Sequence, residues 1–271
     1  MRLGLTGALK AIEAVVGRRM LWRISRAAYA HSRRDGLNNF EVNGERELQR
    51  LVAASVVGRV PVVFDVGANL GEWSKSMVDI SPGARIVAFE PVPRLAGIIS
   101  GFLNDVVAKA ASDRIGTTTF TVTGEFTGTS SMGAADGGEV IEVETTTVEV
   151  EAAARGIDHI DLLKIDVEGF DLAVLKGALA LLRERRVAVV QFEYNWRWKF
   201  NRAYLSDVFD LMEGLPYRLG KVVPGGGVEV YNRWHPELEH FVEGNYALVR
   251  DDMMSAVHSY EGSFDVSNTY A

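Results

Sequence analysis

A chain of 271 residues, 47% hydrophobic and 24% charged, can bury one large core, or one core with an appended segment, and is neither disordered nor collagen-like by composition. It has no cysteine, which excludes disulfide frameworks, thiolate metal sites and cysteine nucleophiles and fits a reducing cytoplasm. The net charge is −7, yet residues 1–34 set Arg2, Lys10, Arg18, Arg19, Arg23, Arg26, Arg33 and Arg34 against Glu13 alone, so +7 there leaves −14 on the remainder. A body that acidic is unsuited to nucleic acid as a substrate.

Within residues 1–38, Leu5, Leu9, Ile12, Val16 and Met20 recur at helical spacing, so a basic amphipathic helix is expected. Arginines interrupt its apolar positions, leaving no run suited to a signal sequence or a membrane span. Such a helix packs on its own domain, on a second copy in a homo-oligomer, or peripherally on an anionic membrane.

From residue 39 to 250 strand-like and helix-like runs alternate, which predicts a doubly wound α/β domain with a mostly parallel, seven-stranded sheet. Residues 60–66 read as a strand, 72–80 as a helix, 85–90 as a second strand and 105–110 as a third. Two Thr/Val-rich runs, 117–123 and 140–148, flank a Gly/Ser/Thr stretch, 124–138, expected to be a mobile loop. Residues 161–167 form the fourth main strand, 172–183 its helix, 186–194 the fifth strand and 205–213 another helix. Runs at 217–222, 228–231 and 246–250 suggest an antiparallel edge, and 251–271 reads as a tail.

Val63-Phe64-Asp65-Val66-Gly67-Ala68-Asn69-Leu70-Gly71 carries a strand into a glycine turn that opens a helix, the place where doubly wound folds bind nucleotides. Glu90 ends the next strand, where a carboxylate accepts hydrogen bonds from ribose hydroxyls. A dinucleotide fingerprint counted from Gly67 would need glycines where Asn69 and Glu72 stand, so a pyrophosphate fits poorly. S-adenosylmethionine carries no phosphate. Its sulfonium, amino and carboxylate groups suit Asp65 and the amide of Asn69, with Gly67, Gly71 and Glu90 completing the expected cofactor site.

In Leu162-Leu163-Lys164-Ile165-Asp166-Val167-Glu168-Gly169, three ionisable residues alternate at the end of an apolar strand, where such groups need partners. Asp166 is expected beside the glycine loop, touching cofactor and acceptor alike. The structural alternative pairs Lys164 with Glu168 and leaves Asp166 capping a helix. The run Lys164 to Gly169, followed by Leu175-Lys176-Gly177-Ala178, resembles the signature of the FkbM family of methyltransferases. The loop Asp65 to Gly71 and Phe89-Glu90-Pro91 fit that family in the same order, with weaker flanking likenesses at Asn43-Gly44-Glu45 and Glu243-Gly244-Asn245-Tyr246. The resemblance implies methyl transfer from S-adenosylmethionine to a small-molecule or glycan acceptor, usually a hydroxyl of a secondary metabolite, sugar or glycolipid. It implies cofactor contacts at Asp65, Gly67, Asn69 and Glu90.

Glu193 ends the strand beside that of Asp166, so either carboxylate is a candidate general base, with Glu168 and Lys164 in support. A second arrangement, less favoured, has Asp166, Glu193 and Asn195 holding Mg²⁺ under the acceptor oxygen. Trp196 and Trp198 are either pocket walls or core, and His235 and His240 are weaker candidate bases near the rim. An N- or carboxyl-directed methyltransferase, a non-catalytic S-adenosylmethionine-binding module and a nicotinamide-dependent oxidoreductase remain open alternatives.

Overall fold

A computed structural model describes residues 2–35, 39–122, 131–132 and 139–265. The N-terminal segment is two helices, α1 (Arg2–Val16) and α2 (Arg18–Ser32), because Gly17 between them takes φ 79° and turns the chain where a single helix was expected. α3 (Glu45–Ser55) then leads to β1 (Val62–Val66), α4 (Glu72–Ile80), β2 (Arg85–Phe89), α5 (Pro93–Ile99) and β3 (Val106–Val107). The expected third strand divides here: β3 stays with the main sheet, while β4 (Ala110–Ala111) leaves it. β4 joins β5 (Gly116–Val122), β6 (Ser131–Met132) and β7 (Glu139–Thr146) in a separate sheet ordered β4-β7-β5-β6. Apart from residues 131–132, the stretch expected to be a loop, 124–138, lies outside the described residues.

After α6 (Val148–Ala154), β8 (Ile160–Ile165) returns to the main sheet, followed by α7 (Asp171–Gly177), α8 (Leu179–Arg183), β9 (Val187–Tyr194) and α9 (Leu205–Met212). The helix expected over 172–183 breaks at Ala178, and a Cβ on Gly177 would lie 2.0 Å from the Ser112 carbonyl, so the break brings two backbones into contact. β10 (Tyr217–Val222), β11 (Val228–Tyr231), β12 (Gly244–Arg250) and β13 (Tyr260–Glu261) complete the main sheet. Its order is β13-β11-β10-β12-β9-β8-β1-β2-β3. The run from β3 to β10 is the expected seven-stranded sheet, parallel except where β12 inserts antiparallel between β9 and β10. β11 and β13 extend that edge, so residues 251–265 belong to the sheet and are no detached tail; Val257 is fully buried.

The parallel strands are apolar on both faces, as strands covered by helices must be. Phe64, Leu163 and Val190 pack one side against α7 and α9, while Val63, Leu162 and Val189 meet Leu48 and Val52 of α3 on the other. At the amino end of β8 one buried charge ties three elements together. Asp161 accepts from Arg59 Nη1 at 2.6 Å and from the Val62 amide at 2.8 Å. Burial works against its charge, but Arg59, His159 and the Val62 amide hold its carboxyl well below the ordinary 3.8. Its stabilisation is therefore full above about pH 4 and fades as pH falls toward the depressed folded value. Asp161→Ala is expected to cost about 1.5–3 kcal/mol in denaturant titrations at neutral pH. The gap between the two proteins should narrow in acid, and a constant gap across that range would show that the charge contributes nothing.

Candidate active site

Alternation along the strands sets a row of polar side chains at the carboxyl edge of the sheet. On one face β1 reads Val63 then Asp65, β8 reads Leu162 then Lys164, and β9 reads Val189, Gln191, Glu193, with apolar residues below and polar ones at the edge. Asp65 is in register with Lys164, and Lys164 with Gln191. Lys164 Nζ lies 3.4 Å from Asp65, 3.4 Å from Asp166 and 3.3 Å from the Gly67 carbonyl it donates to. Burial opposes this ammonium, but Asp166 and Asp65 outweigh it and hold Lys164 above its ordinary pKa. The Lys164–Glu168 pair of the structural alternative does not form. Glu168 instead bonds Arg197 at 2.8 Å.

The glycine loop turns directly above this row. Gly67 takes φ 80°, and a Cβ there would sit 1.9 Å from the Asp166 carbonyl, so the first two strand-end loops touch through a position that only glycine fills. Ser74 donates to Asp65 at 2.6 Å, which leaves the other carboxylate oxygen, Oδ1, buried with no hydrogen bond. Glu90 accepts from the Asn69 amide and from the Val92 amide, both at 2.9 Å, and retains two further lone pairs. Burial pushes its carboxyl up to about 7.

Two pockets meet on this loop. One lies between Glu90, Pro91 and Leu95 of the main domain and Lys109, Ala110 and Phe120 at the small sheet. The other lies between Phe40 and Glu45, Lys164, and Trp73 of α4. Gly67, Asn69 and Asp166 line both. Asp166 is thus where the second constellation was expected to stand, with 41% of its side chain exposed.

Three residues here had no role in the sequence reading. Glu45, set in the first turn of α3, accepts from Gln191 and, at 3.1 Å, from Asn245, which joins the two flanking likenesses across the sheet. Trp73 is 6% exposed, and its Nε1 donor, on the wall of the second pocket, has no hydrogen-bond partner. Phe120 supplies an apolar wall from the small sheet.

Glu193 takes a different character from the one expected. Burial, then Asp166, Glu243 and Glu168, push its carboxyl well above the ordinary range. Asn195 has structural partners of its own. Its carbonyl caps the following 3-10 turn, Trp196–Asn201, by accepting from the Arg197 amide at 2.9 Å, and its amide nitrogen faces Glu193 at 2.6 Å. Among the described residues no three histidine or carboxylate side chains converge as ligands for a metal ion. Trp198 is core, fully buried with its indole donating to the Glu193 carbonyl, whereas Trp196 is 45% exposed. His235 and His240 line neither pocket: His235 stacks on Phe264 at 4.2 Å, and burial lowers His240 to about 4.

The chain is 32% identical, over 155 residues, to methyltransferase sdnD of Sordaria araneosa, in a match covering 43% of this chain and 60% of that protein. It therefore spans less than two thirds of that relative. Among solved structures it is similar to methyltransferase FkbM from Methylobacillus flagellatus, with 15% identity, a TM-score of 0.46 and coverage of 77% of this chain and 48% of that one. A SAM-dependent methyltransferase from Agrobacterium tumefaciens is 10% identical with a TM-score of 0.42, covering 76% of this chain and 61% of that one. The Methyltransferase FkbM domain matches residues 65–219, more than half of the chain and the span that carries both strand-end loops. The chain belongs to the FkbM methyltransferase domain family.

Proposed function

We infer that this protein transfers a methyl group from S-adenosylmethionine to a hydroxyl of a small-molecule or glycan acceptor in the cytoplasm. The observation that carries this reading is the meeting of two unlike pockets at Gly67, Asn69 and Asp166. The first suits an adenosine, with Glu90 to accept from ribose hydroxyls and Pro91, Leu95 and Phe120 against the base. The second suits the methionine end, where Trp73 Nε1, buried and without a hydrogen bond, awaits a carboxylate, and the carboxylates lining the same pocket suit an ammonium. When bound, the cofactor supplies an electrophilic methyl on a sulfonium. Carboxyls outnumber cations around the junction, which favours that positive charge.

Alignment of the acceptor does much of the work in such a displacement, and removing the hydroxyl proton does the rest. Asp166, half exposed at the junction, is the group assigned to take that proton. Glu193, its carboxyl raised by burial, ends the strand next to that of Asp166 and is the group assigned to help position the acceptor. Glu168, raised to about 7 by burial and then by Asp166, changes charge in the working pH range and so tunes Asp166. The exposed Trp196 and Phe200, edge to face at 5.6 Å, stand at the rim beside Arg197 as a surface for the rest of the acceptor. An amine acceptor is the second reading, favoured by the same excess of carboxyls; matched alcohol and amine acceptors offered to the enzyme distinguish the two.

Calorimetry should show S-adenosylmethionine binding that weakens by about 1.5–3 kcal/mol in Trp73→Phe, the loss of one hydrogen bond to a charged group. Because Glu90 accepts fully only as a carboxylate, affinity should fall as pH drops through about 7, and Glu90→Gln should flatten that dependence. Unchanged affinity in both variants would remove the cofactor assignment. Asp166→Asn should abolish turnover while keeping cofactor affinity, and chelators should leave the native rate unchanged. Full activity in Asp166→Asn, or loss on chelation restored by Mg²⁺, would overturn this mechanism.

A further inference from the structure

The N-terminal helices are fastened at one end and bare along their length. At the carboxyl end of α2, Arg33 is 3% exposed and pairs with Asp35 at 3.4 Å, and Lys221 of β10 donates to the Arg33 carbonyl at 3.0 Å and also holds Asp35. Before that anchor, no residue of α2 is buried. Ile12 is 44% exposed, Met20 47% and Ile24 50%. Met20, Leu21, Ile24, Ala27 and Ala28 recur as one helical stripe, while Arg19, Arg23 and Arg26 lie on another face with Trp22, over whose ring the Arg26 guanidinium sits at 5.3 Å. The domain itself therefore does not cover this apolar face, as one of the sequence-based expectations required.

Charge decides what does. Two copies pairing helix to helix would bring +7 against +7. The acidic body of a second copy offers charge but only a scattered apolar surface among the described residues, with Val57, Ile115 and the Trp196–Phe200 pair in separate segments. A bilayer rich in anionic lipid offers phosphates to the arginines, an acyl boundary to the stripe and an interfacial layer to Trp22. The same surface repels a body of charge −14, so the helices meet it first.

We propose that α1 and α2 form a peripheral docking arm for an anionic lipid surface. No helix among the described residues is long and apolar enough to cross a membrane, so the arm lies in the interface plane. The test is flotation of the full chain with vesicles of phosphatidylcholine containing phosphatidylglycerol, against vesicles of phosphatidylcholine alone. Binding to the anionic vesicles only is expected, falling at least about tenfold when Arg18, Arg19, Arg23 and Arg26 are all changed to Gln. Met20→Asp with Ile24→Asp should abolish it, while thermal unfolding shows the body intact because both side chains are exposed. Equal binding to neutral vesicles, or undiminished binding of the Gln variant, would overturn the proposal. So would a solution dimer that the Asp variant dissociates in a protein that ignores vesicles.

Discussion

Everything at this site hangs on one buried ammonium. Lys164 stands in the centre of a parallel sheet, 5% exposed, with Asp65 beside it on the next strand and Asp166 above it on its own. A lone charge there would cost several kcal/mol, and a lone Asp65 as much, so each makes the other tolerable. The pair fixes the height at which the sheet changes from hydrocarbon to polar groups. It also draws the Gly67 carbonyl down onto Lys164, and so sets the glycine loop against the Asp166 turn. The loops of β1 and β8 are held as one unit before any ligand arrives.

That constraint propagates outward as an uneven charge balance. Lys164 is committed to Asp65 and Asp166, and Arg197 to Glu168, so among the described residues no cation forms a direct ion pair with Glu193, Glu243 or Glu45. Burial and mutual repulsion therefore push these three carboxyls up. A neutral ligand would leave this balance unrelieved. A ligand carrying positive charge relieves it, which is why the site is physically suited to a sulfonium and poorly suited to the phosphates of a dinucleotide.

The parts legible in the sequence were those that short-range pattern controls. The helix over 72–80 and the strand over 217–222 fall on the expected residues, because glycine turns and period-two or helical spacing bound them locally. Gly67, Asn69, Glu90 and Asp166 line one pocket because each lies at or just beyond the end of a strand at the same edge of the sheet. Residues that act through long-range register were not legible. Glu45 and Asn245 each stand in a flanking likeness, but they meet only once β12 has inserted beside β9, which neither stretch shows by itself. Trp73 reads as an ordinary core residue of an amphipathic helix until its Nε1 is found without a partner. The two-residue strands at 106–107, 110–111 and 260–261 are too short to show a period, so the divided third strand and the paired tail were missed together.

Two of the seven non-glycine residues with positive φ among the described residues stand at this junction. Asn69 and Glu168 are not glycines, yet they adopt φ of 51° and 55°, and each lies in the loop that follows one of two adjacent parallel strands. A left-handed conformation outside glycine costs energy and persists only where the surroundings enforce it. In both loops the neighbour that bends most sharply is a glycine, Gly67 or Gly169, so the chain had a cheaper residue available for such turns. What a glycine at 69 or 168 would lose is the side chain, and both side chains line the first pocket. The strain is thus coupled to the position of an amide and a carboxyl that line one pocket together with Asp166.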